Sequence, residues 1–158
     1  MEDFFPERVT EAERAQLAVD GGSKFEEARR NVERFLEFVF GPTSIARDHY
    51  AWAELGIRDD GRLSFKGFGR EFLGKLEYDV LDGQWFSRYV FYDILRPIIG
   101  DPTATPVYVV LIEADGHVDL NGSSQKWSLY PQMESMVTGQ LYNRLKADLL
   151  CVARRLYG

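Results

Sequence analysis

The chain has 158 residues, 45% of them hydrophobic and 14% aromatic, with a formal net charge of −6. Such a length can bury roughly 70% of the surface its unfolded form exposes, so one α+β domain spanning 1–158 is expected and disorder is not. A single cysteine, Cys151, excludes an intramolecular disulfide and any multi-thiolate metal centre.

Thr10 and Glu13 have capping-box spacing and open a short helix over about 11–19, which Asp20-Gly21-Gly22 is expected to end. Ser23 and Glu26 repeat the spacing before a helix over about 24–40. There Phe25, Ala28, Val32, Phe35, Leu36, Val39 and Phe40 form one apolar stripe. Glu26, Arg29, Arg30 and Glu33 make its other face a solvated one, with i,i+4 pairs of opposite charge. Gly41-Pro42 stops it. A third helix over about 44–55 would place Ile45, His49 and Trp52 on one side.

Beyond residue 60 the chain changes character. Asp60-Gly61, Asp82-Gly83, Asp115-Gly116 and Asn121-Gly122 are dipeptides suited to positive φ in tight turns, and β-branched and aromatic runs lie between them. An antiparallel sheet over about 63–129 follows, with hairpin turns at 82–83 and 115–116. Phe72, Leu76 and Val80, and likewise Phe86, Val90 and Ile94, also fit a helix. Gly69, Gly74 and the aromatic density favour strands. Pro97, Pro102 and Pro106 mark a surface loop from Arg96 to Pro106. Val107–Ile112 is the clearest strand, turning at Asp115-Gly116 into His117–Leu120. Pro131 suits a first helical position, and Met133, Val137, Leu141, Leu145, Leu149, Val152 and Leu156 trace one face of a closing helix over about 132–156. The helices cover one face of the sheet.

Chemistry is sparse. Two histidines, His49 and His117, and no cysteine pair leave no metal site and no cofactor to expect. Cys151, beside the apolar stripe of the last helix, reads as a small buried thiol. His117 and Asp119 share a face of one strand, but no serine in a strained elbow completes a triad, so no catalytic residue is assigned. Asp93 stands out within Tyr89–Leu95, where an unpaired carboxylate is costly to bury. It must face water, pair with Arg88, Arg96 or a tyrosine hydroxyl, or line a cavity; Glu113 poses the same question.

No run approaches the roughly 18 apolar residues of a membrane span, and residues 1–6 lack the features of a signal peptide, so a cytoplasmic protein without membrane association is expected. An acidic chain repels phosphate backbones, disfavouring nucleic acid, and draws basic proteins. The sequence therefore points to a non-enzymatic protein-binding module, such as a cognate inhibitor or immunity-type protein that neutralises a basic toxin or enzyme. Its candidate surface is the acidic hairpin of Glu77, Asp79 and Asp82 with Trp85. The alternative is a small-molecule-binding protein or small enzyme, with Trp52, Tyr89, Tyr92 and Asp93 lining a cavity between curved sheet and helices. A homodimer through the long closing helix is equally open.

Overall fold

Thr10 has extended backbone, and its Oγ1 accepts the Glu13 amide at 3.1 Å, the N-cap geometry that the spacing implies. The computed structural model describes residues 8–42, 46, 48–123, 126–129 and 135–157. Helix α1 runs unbroken over Glu11–Phe40, so the helices expected at 11–19 and 24–40 are one. Two glycines weaken a helix by roughly 1 kcal/mol each, but they remove no hydrogen bond and introduce no clash, as a proline would. Gly22 is exposed, and a Cβ added there meets nothing within 4 Å. Gly22→Ala should therefore stabilise the protein by about 0.5–1 kcal/mol, read as a higher urea midpoint at unchanged slope. A lower midpoint would contradict a helical Gly22.

The helix expected at 44–55 is not formed over its described second half. Residues 49–52 are turn, and Glu54 and Leu55 already belong to a strand. The Asp48 side chain accepts the Tyr50 amide at 2.9 Å, a local turn that competes with helical hydrogen bonding. His49 donates its amide to Asn143 Oδ1 at 2.9 Å, and both His49 and Trp52 are exposed rather than packed on a helix face. Ile45 lies outside the described residues.

Seven strands then form one antiparallel sheet in sequence order: β1 (Glu54–Ile57), β2 (Leu63–Gly67), β3 (Arg70–Leu81), β4 (Gln84–Leu95), β5 (Thr103–Ile112), β6 (His117–Leu120) and β7 (Lys126–Ser128). The helical alternative for 68–95 is excluded by the continuous β3–β4 ladder from Phe72↔Asp93 to Leu81↔Gln84. Asp82 and Gly83 both take positive φ, 52° and 75°, the hairpin turn that matches strand twist. The loop expected to reach Pro106 ends earlier, because β5 starts at Thr103. Pro106 is tolerated within it beside a register shift at Phe91/Tyr92, on a stretch of β5 that pairs with β4 alone among the described residues.

Helix α1 and the closing helix α2 (Ser135–Tyr157) lie on the same sheet face: α1 crosses β4 and β5, α2 crosses β2 and β5, and the two touch each other. Ala28, Val32, Phe35 and Val39 of α1 and Leu141, Leu145 and Leu149 of α2 are buried there. They meet Phe65, Phe72, Tyr89, Phe91, Val110 and Ile112 of the sheet. Burial pushes the Tyr89 hydroxyl up to about 12. The Pro131 start and Met133 lie outside the described residues. Cys151 is exposed, not buried: two positions past Leu149, it points away from the stripe. No helix among the described residues is long and apolar enough to cross a membrane.

Candidate binding groove

On β4 the side chains alternate, so Trp85, Ser87, Tyr89, Phe91 and Asp93 face the helices while Phe86, Arg88, Val90 and Tyr92 face away. On β5, Val109 and Leu111 share that outward side, as does Asp119 of β6 opposite Leu111. A hollow of about 760 Å³ lies there, at the end of the sheet carrying the 82–83 and 115–116 turns. Leu81, Phe86, Val109 and Leu111 give it an apolar floor. Asp82, Glu113, Asp115 and Asp119 line it with carboxylate, against the single guanidinium of Arg88. A second crevice of about 240 Å³, reaching Lys24 and Glu27 at the foot of α1, shares Gln84, Trp85, Ala114 and Asp115 with it.

The acidic hairpin of the sequence reading is brought to this groove only in part. Asp82 and Trp85 line it, Asp82 in the exposed turn and Trp85 only 8% exposed. Glu77 and Asp79 stand on the neighbouring strand and are already engaged by Arg88, at 2.9 and 3.7 Å. Of the groove's other members, Phe86, Val109, Leu111 and Asp119 come from strands joined across the sheet, and Glu113 and Asp115 from the turn between β5 and β6. Alternation in β5 and β6 signalled their common face, but nothing local signalled that they meet Asp82.

Three side chains at the groove's edge deserve a chemical test. Glu113, Asp115 and His117 each offer a ligand atom, all within 4.8 Å of one another. Their own partners already meet them. Lys126 Nζ lies 2.7 Å from Glu113, and His117 Nδ1 lies 2.9 Å from Asp115 Oδ2. Burial pushes the Asp115 carboxyl up, but the His117 amide and imidazole outweigh it and hold it below its usual value. The grouping is thus internally balanced, and nothing else points to a cation. His117 pairs with Asp115, across the turn, rather than with Asp119. Among the described residues in and beside the groove, Trp85 Nε1, His117 Nδ1 and Asp119 Oδ1 are buried without hydrogen-bond partners, the His117–Asp115 approach being an ion-pair contact.

The four residues expected to line an inner cavity do not share one wall. Tyr89 is core, its ring 6.0 Å from Phe35; Tyr92 faces away from the helices; Trp52 is exposed against Phe68, with ring centroids 5.4 Å apart. Asp93 faces the helices and pairs with Arg70 at 3.1 Å, not with Arg88, Arg96 or a tyrosine.

Comparison with protein-family models, curated proteins and solved structures finds no match for this chain.

Proposed function

We propose that this chain is a non-enzymatic protein-binding module that takes a basic partner in the groove, in the manner of a cognate inhibitor or immunity-type protein capping a basic toxin or enzyme. The observation that carries the reading is the groove itself: an apolar floor on the sheet face turned away from α1 and α2, lined by four carboxylates and one guanidinium. An apolar centre with a charged rim is the anatomy of a protein interface, and its charge selects a cationic counterpart and speeds encounter.

The test is capture from native lysate on the tagged protein and on Asp82→Lys/Asp119→Lys, followed by association kinetics with the basic protein retained. Reversing both charges should slow association roughly tenfold at low salt, the difference shrinking as salt is raised. Reversal of Glu77 and Asp79, which Arg88 already neutralises, should do less. A partner that binds the Asp82→Lys/Asp119→Lys protein as fast as the original would remove the groove from the interface.

A further inference from the structure

The opposite end of the sheet carries the counterpart of the groove. There β4 passes into the 96–102 loop, whose tip, Pro97-Ile98-Ile99-Gly100, projects two adjacent isoleucines at 104% and 91% exposure. No other part of the described chain covers them. Fully exposed single apolar residues are ordinary, but a bare adjacent pair at a loop tip is a convex apolar knob. Arg88, the groove member on β4 nearest the knob, lies seven residues before Leu95, roughly 23 Å along the strand, so a chain cannot seat its own knob.

We propose that the Ile98–Ile99 tip of one copy seats in the Phe86–Leu111 groove of another, a head-to-tail contact between copies of this chain. The shapes are complementary, since a convex apolar tip needs a concave apolar floor, and this chain supplies both. Charge agrees with shape. The groove is lined by carboxylates, whereas the knob end exposes Arg154 and Arg155 beside Arg96, whose charge is met by Glu71. That end's Glu71 and Asp93 are each held by an arginine, leaving Asp101 as the loop's own carboxylate. Arg154 and Arg155 belong to this end because Arg70, the first residue of β3 and beside Leu95, donates to the Leu156 carbonyl. Knob and groove are different surfaces, so the contact is heterologous and propagates into rings or filaments rather than closing at a symmetric dimer. It also occupies the groove, which makes self-association and partner binding mutually exclusive.

Light scattering on the size-fractionated, purified chain tests this without any partner. The mass should rise with concentration beyond that of two chains. Ile98→Asp/Ile99→Asp, at positions buried by nothing, and Leu111→Asp should each weaken assembly at least roughly tenfold and run as monomers. Asp82→Arg, at the exposed rim, serves as a groove variant that does not disturb packing and should weaken assembly in the same direction. Mixed in equal amounts, the tip variant and the Leu111→Asp variant should form a dimer and nothing larger, because one supplies an intact groove and the other an intact tip. A wild-type chain that stays monomeric, or a mixture that does, overturns the proposal. So does assembly that survives loss of the tip. In each case the partner-binding reading is left to its own experiment, which the tip variant, with its groove intact, can enter.

Discussion

Asp48→Asn should lower the unfolding free energy at pH 7 by about 3 kcal/mol, the usual consequence of stranding one member of a buried ion pair. Lys146 sits on α2 with its side chain 1% exposed, and its ammonium lies 2.7 Å from Asp48 Oδ2. The Tyr142 ring lies 5.6 Å away, and the Tyr142 hydroxyl donates to the same carboxylate oxygen at 3.3 Å. An asparagine returns a neutral oxygen to a buried charge. Lys146→Met should be milder, about 1–2 kcal/mol, because Asp48 is nearer the surface and keeps its Tyr50 amide. The pH dependence has a definite sign. Burial pushes the Asp48 carboxyl up, but Lys146, the Tyr50 amide and Tyr142 together hold it below its usual value. Its contribution is therefore full above the unfolded carboxylate value of about 3.9 and is lost as pH falls through the lower folded value. Urea unfolding at a series of pH values should show the gap between wild type and Asp48→Asn steady from pH 7 to about 5 and closing below about 4. Equal, small losses in both variants would mean that the pair is not desolvated.

The same pair shows why part of this fold was hidden. Asp48 and Lys146 are 98 residues apart. The turn that Asp48 organises takes the place of the described second half of the helix expected at 44–55, although helical spacing of Ile45, His49 and Trp52 was present. What was legible was local: the Thr10 cap, the Ala28–Val39 stripe, the Asp82-Gly83 turn and the Leu141–Leu149 stripe. Ambiguity over 68–95 arose because Phe72, Leu76 and Val80 recur every fourth residue, which satisfies a two-residue repeat and nearly satisfies 3.6. Gly69, Gly74 and the aromatic density favoured strands, and the β3–β4 ladder decided it. Gly74, read as a weak point of a helix, has a different reason in the sheet. A Cβ there would lie 3.0 Å from Leu63 Cβ and 3.1 Å from the Phe91 ring.

The groove was legible only as an acidic hairpin. Glu77, Asp79 and Asp82 read alike in sequence, yet register places Arg88 directly across from Glu77, so two of the three are spoken for. Which carboxylates remain free to meet a partner depends on strand pairing, and pairing is not written in the spacing of charges. Trp85 was read as an exposed anchor, and its parity on β4 buries it. It still lines the groove, as the second residue of β4.

Arg70→Met should be the second severe substitution, again about 3 kcal/mol, and it answers the question that Asp93 raised. The Asp93 side chain is 6% exposed; one oxygen is held by Arg70 at 3.1 Å and the other, Oδ1, has no partner among the described residues. Removing the guanidinium leaves a buried carboxylate with nothing to offset its lost hydration, and it also removes the donor from the Leu156 carbonyl at the end of α2. Asp93→Asn should be far gentler, within about 1 kcal/mol, since Arg70 is 22% exposed and keeps both water and Leu156. Arg70→Met/Asp93→Leu should recover most of the loss, because replacing both charges with apolar groups of similar size removes the desolvation penalty together with the attraction that offset it. Hydrogen exchange should show the last turn of α2 fraying in both Arg70 variants and not in Asp93→Asn. If the double variant is as unstable as Arg70→Met, the stranded charge is not the cause. The guanidinium would then act chiefly as the cap that ties the end of α2 to the β2–β3 turn.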